Sequence, residues 1–127
     1  MSSTGVAYAA KWYGIWLNWS IAGNAGGLYT IDAIRAPSDN KIRVVGTVAS
    51  GGVWMVTQPA GGAFSGSDVW ASLNCCVFDV SIAAHPATGL LTISGRSSDW
   101  QIWSMTQTAP GAGLAISPLP GRVVMKL

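Results

Sequence analysis

Charge is scarce in this chain of 127 residues: charged side chains make up 9% of it, against roughly 25% in ordinary globular chains. Half the residues are hydrophobic, so something beyond one copy is expected to cover part of the surface. Glutamate is absent, and the acidic side chains are five scattered aspartates. A glycosidase needs two facing carboxylates. The one histidine, His85, precedes Pro86 in a turn with no acid or nucleophile beside it, so no enzyme is expected.

Other absences narrow the function further. Seven Lys and Arg are spread along the chain for a net charge of +2, which lacks the basic face of a nucleic-acid binder. There is no His and Cys cluster at zinc spacing and no aspartate-dense calcium loop, so no metal is expected. Gly26-Gly27 and Gly51-Gly52 lack the strand, loop and helix setting of a phosphate cradle, and no cofactor is expected either. No apolar run approaches the ~18 residues of a spanning helix, which excludes a membrane span of that kind. Met1 to Gly5 has neither a basic start nor an apolar core, so no secretory signal is read; a cytoplasmic location or leaderless release is expected. Cys75 and Cys76 are adjacent and would point to opposite faces of a strand; they read as apolar thiols, with a vicinal redox pair as the alternative.

What the chain does have is a repeat. Tyr8 to Trp16, Gly46 to Trp54 and Gly95 to Trp103 align without gaps. Each copy ends on a β-branched residue and a tryptophan, and Ser20, Gln58 or Gln107 follows four positions later. A Gly-rich turn comes next each time. The marker tryptophans are 38 and 49 residues apart, around the period of four-stranded propeller units.

Alternation of period two marks strands, as in Val77 to Ile82 and in Arg122 to Leu127, where Val123, Met125 and Leu127 oppose Arg122 and Lys126. Turn residues separate them at 37–40, 65–68, 85–89 and 118–121. The chain is therefore expected to be all-β. Strands at 30–35, 41–45, 53–57 and 69–73 make one four-stranded antiparallel unit, and 80–84, 90–94, 101–105 and 114–116 make another. The N-terminal unit starts at what should be its second strand, Val6 to Tyr8, while 122–127 is a first strand without a unit. Pairing them removes an exposed edge. Three units fall below the four to eight blades of propellers. Two chains exchanging C-terminal strands would give a six-bladed ring, so a homodimer is expected. The whole of 1–127 is then one domain, with blade 1 at about 5–29 plus 122–127, blade 2 at about 30–74 and blade 3 at about 77–117.

Ile82-Ala83-Ala84, Ala87-Thr88-Gly89, Leu90 to Gly95, Ile102-Trp103 and Gln107 to Gly111 together resemble one repeat of the tectonin-type propeller lectins, including the PLL-like group. Ala33 to Leu73 resembles a second, through Val53-Trp54, Gln58 to Gly62 and Trp70 to Leu73. The resemblance implies shallow sugar sites at or between blades, without catalysis or an obligatory metal. Unlike a single-chain propeller of that kind, this chain is short, and no family residue marking a sugar specificity stands in its second strand.

Trp16, Trp54 and Trp103 recur, so packing accounts for them. Trp12, Trp19 and Trp100 do not recur, and Trp70 is intermediate. An indole offers a flat apolar face and one N–H donor, which suits a sugar. Trp12 and Trp100 fall in the loop between second and third strands, where a rigid scaffold carries binding residues. Around them stand Arg96, Ser97, Ser98, Asp99 and Gln101 in one copy and Lys11 and Tyr13 in another, able to bond hydroxyls or simply to form the turn. Trp19 fits a sugar site, packing or a dimer contact. Multivalent glycan recognition is the expected function. The alternatives are a structural or assembly propeller without a sugar ligand, and a small β-barrel holding an apolar ligand.

Overall fold

The computed structural model describes residues 27–65, 68–73 and 77–111 fully, and 8–9, 20–21 and 114–118 by their backbone. Strands form where β-branched and other apolar residues recur, and stop where Pro, Asn or Gly sets a turn. They are β1 (Tyr8–Ala9), β2 (Ser20–Ile21), β3 (Leu28–Arg35), β4 (Ile42–Val48), β5 (Val53–Thr57), β6 (Ala71–Ser72), β7 (Asp79–Ala84), β8 (Leu91–Arg96), β9 (Ile102–Gln107) and β10 (Leu114–Pro118). β3 to β6 make one four-stranded antiparallel sheet and β7 to β10 a second, each in sequential order, while β1 pairs with β2. The fold is all-β, with no helix among the described residues and hence none long enough to cross a membrane.

The first three strands of the two sheets repeat each other at a shift of 49 residues, while the fourth strands differ in register: Trp54 lies opposite Ser72 but Trp103 opposite Pro118. Gln58 Oε1 accepts the Ile42 N–H at 3.0 Å, and Gln107 Oε1 accepts the Leu91 N–H at 2.9 Å. The turn from Ala36 to Lys41 closes through Asn40 N–H to Ala36 O at 2.8 Å, as His85 to Leu90 closes through Gly89 N–H to His85 O at 2.8 Å. The glutamine four positions after Trp54 and after Trp103 thus satisfies the amide at the start of the second strand.

β4 and β8 run beyond Val45 and Ser94, through glycines that the sequence suggests as strand ends. Close approach explains both glycines. A Cβ at Gly95 would stand 2.5 Å from Val77 Cγ2 and 2.6 Å from Asp79 O, and one at Gly46 would stand 2.8 Å from Leu28 Cδ2. β6 is shorter than the expected 69–73, because Trp70 turns into the core beside Phe64. In the N-terminal part, Tyr8 pairs with Ile21, whereas the aligned Gly46 and Gly95 pair with Trp54 and Trp103. The strand expected at 122–127 and the two cysteines lie outside the described residues.

The main core lies between the sheets: Val45 and Val53 from the first meet Val80, Ile82, Leu91, Ile93 and Met105 from the second, with Trp103 packed against them. On the far face of the first sheet, Leu28, Val56, Phe64 and Trp70 form a second cluster, against which Trp54 packs. Each fully buried Val, Ile or Leu contributes about 1.5–3 kcal/mol. β3 and β7 are the closest strands of the two sheets. Polar bonds stitch that seam: Thr47 Oγ1 donates to Phe78 O at 2.9 Å, and the Ile82 N–H, on edge strand β7, reaches Asp32 Oδ2 at 2.9 Å.

Candidate functional site

Residues 97–101 form the hairpin from β8 to β9. The Ser97 N–H donates to Gln101 O at 2.9 Å and the Trp100 N–H to Ser97 O at 3.1 Å. Ser97 Oγ bonds Asp99 Oδ1 and also lies 3.2 Å from Gln101 O, so serine and aspartate brace the turn from inside. The equivalent hairpin of the first sheet closes the same way, with the Val48 N–H on Gly52 O at 3.0 Å and the Gly51 N–H on Val48 O at 2.9 Å. Gly51 has φ 85°, and Trp100 in its place has φ 64°. Left-handed backbone is rare for a bulky residue and costs of order 1–3 kcal/mol.

Trp100 is 39% exposed. The Arg96 guanidinium carbon lies 4.4 Å from its ring centroid, a cation–π contact. Arg96 is held in turn by Asp79 across the β7–β8 ladder: Nε and Nη2 lie 2.9 and 2.8 Å from Asp79 Oδ2. The aspartate side chain is 58% exposed. The result is an aromatic ring set in place by an arginine and flanked by Asp79, Asp99 and the exposed Ser98. Such a group can stack on an apolar ring face while its neighbours accept and donate hydrogen bonds.

The structure brings together Arg96, Ser97, Ser98, Asp99, Trp100 and Gln101, as their adjacency requires. Trp70 is apart from them, 4% exposed in the cluster with Leu28 and Phe64. Trp12, Tyr13 and Trp19 lie outside the described residues. Sequence reasoning missed Asp79. Its one signal was the alternation of 77–82, which sets Asp79 on the polar face; only the pairing register puts it opposite Arg96.

Away from this hairpin, Asp39 receives two bonds from Arg43, at 2.8 and 2.7 Å. Those bonds and the Lys41 N–H hold its carboxyl far below the usual range, and the same pairing raises the Arg43 pKa. Among the described residues no three His, Cys, Asp or Glu side chains gather as a metal site would require. No protein-family model matches the chain, and no curated protein matches it.

Proposed function

We propose that the chain is a carbohydrate-binding protein of lectin type that recognises glycans through several shallow sites, without catalysis. One observation carries the reading: a half-exposed tryptophan occupies a left-handed hairpin position where the sister hairpin has glycine. Backbone strain of that kind persists at ligand clamps. The strained position presents a flat apolar surface with one N–H, ringed by hydroxyl and carboxylate groups suited to a sugar. In the ungapped sequence alignment Tyr13 corresponds to Trp100, which makes it a candidate for a second aromatic contact.

The sheets are taken as blades of a propeller resembling the tectonin type. Supporting this are their sequential meander order, the residue-for-residue repetition of their first three strands, and the closest approach of the two first strands. Three such units per chain make a six-bladed ring from a homodimer in which 122–127 completes blade 1 of the partner. Several weak sites in fixed geometry then gain about 10²–10⁴ in avidity.

A purely structural ring is the second reading, favoured by the packing roles of Trp54, Trp70 and Trp103. A glycan array of wild type and Trp100→Ala separates the two. Binding that Trp100→Ala abolishes supports the lectin; binding to no glycan, or binding untouched by both Trp100→Ala and Trp12→Ala, removes it.

A further inference from the structure

Three polar groups beside the Trp100 ring carry no hydrogen bond among the described residues: the indole N–H, the hydroxyl of the exposed Ser98, and Asp79 Oδ1. The first donates, the second does both, and the third accepts. Arg96, by contrast, is already engaged. Its Nε and Nη2 both bond Asp79 Oδ2, at 2.9 and 2.8 Å, its Nη1 lies 3.5 Å from Ser97 O, and the plane of its guanidinium carbon stands over the indole. The Nε and Nη2 edge is a fork with which arginine grips a carboxylate, and Asp79 fills it.

The charge balance of the hairpin points the same way. One cation, Arg96, faces two carboxylates, Asp79 beside it and Asp99 within the turn, where Asp99 bonds Ser97 Oγ and the Gln101 N–H. The other described cations, Arg35, Lys41 and Arg43, stand by the turn between β3 and β4, where Arg35 Nη1 reaches Asn40 O at 2.9 Å. That turn is at the opposite end of the molecule from the hairpins. The Val77 N–H on Gly51 O sets the hairpin ends of the sheets together, and a Cβ at Gly89 would lie 3.6 Å from Pro37 Cβ at the other.

We propose that the Trp100 site selects neutral glycans over carboxylated or sulfated ones, and that Asp79 sets this preference. The inference rests on the lectin reading and names the ligand class of that same site. A sugar hydroxyl donates as well as accepts, so a neutral ring against Trp100 gives a proton to Asp79 Oδ1 and accepts one from the indole N–H or Ser98. A carboxylate or sulfate only accepts. It leaves Asp79 Oδ1 unpaired and brings a like charge to two carboxylates whose one counter-charge is spent. At about 6 Å in a water-like dielectric, one net like charge lowers affinity roughly threefold.

The test is binding of matched glycan pairs to the full-length protein at low ionic strength: hexosides with their uronides, and galactosides with and without a 3-sulfate. The neutral member is expected to bind at least about threefold tighter, with the ratio closing as added salt screens the charges. Asp79→Asn should shrink the ratio about threefold and Ser98→Asp should widen it by as much. A merely structural Asp79 would weaken both members of a pair alike, and Ser98→Asp keeps the test open if Asp79→Asn fails to fold. Equal or tighter binding of the acidic members, or a ratio that neither variant moves, overturns the preference and leaves the lectin reading standing. Binding to no glycan of a full array, or binding untouched by both Trp100→Ala and Trp12→Ala, removes the lectin reading and the preference with it.

Discussion

Trp100 and Gly51 close the same hairpin 49 residues apart, with φ 64° and 85°. Glycine enters that region freely, whereas tryptophan does so at a cost of order 1–3 kcal/mol. The Arg96 contact returns about 0.5–1 kcal/mol. Trp100→Gly is therefore expected to leave thermal stability unchanged or to raise it by about 1 kcal/mol while abolishing glycan binding. A melting temperature lowered by several degrees would show the indole to be a structural plug.

The glycines inside β4 and β8 should not tolerate alanine equally. A methyl at position 95 meets both Val77 and the Asp79 carbonyl, while one at position 46 meets chiefly the movable end of Leu28. Overpacking of this kind typically costs about 1–3 kcal/mol. Gly95→Ala is expected at the upper end and Gly46→Ala at the lower, measured by urea denaturation.

Gln107 is buried and Gln58 only half so, although both serve a strand-starting amide. An unsatisfied buried amide costs about 1–3 kcal/mol. Gln107→Ala should therefore destabilise more than Gln58→Ala, where water can reach the Ile42 N–H. Equal losses in chemical denaturation would contradict the assigned roles.

The Asp39–Arg43 pair makes a pH prediction. Because the folded carboxyl titrates well below its unfolded value, the pair's stabilisation is fully present above the ordinary carboxylate range. It is lost as pH falls from about 4 through the lowered folded value. The stability difference between wild type and Asp39→Asn should accordingly be constant from pH 7 to about 5 and shrink below about 4. A difference independent of pH would place the stabilisation elsewhere.

Much of this architecture was legible because its signals are local. The Ile-Trp and Val-Trp pairs set the third strands, and turn residues set the breaks, so all eight strands of the two sheets fall near their expected places. What was not legible depends on contacts between distant residues. Gly46 and Gly95 look like strand ends in sequence, and only the nearness of Leu28 and Val77 reveals why they lie within strands. Trp70 is intermediate in the sequence between the recurring and the non-recurring tryptophans, and only Phe64 and Leu28 around it show it to be packing. Asp79 gains its place beside the site from a register that no stretch of sequence encodes.

The most direct measurement is the set of tryptophan indole N–H resonances in 15N-labelled protein during titration with a glycan panel. The lectin reading predicts that the Trp100 resonance shifts saturably with at least one glycan, while those of the packed Trp54, Trp70 and Trp103 stay in place. A panel-wide absence of shift at Trp100, or shifts confined to the packed indoles, would contradict it.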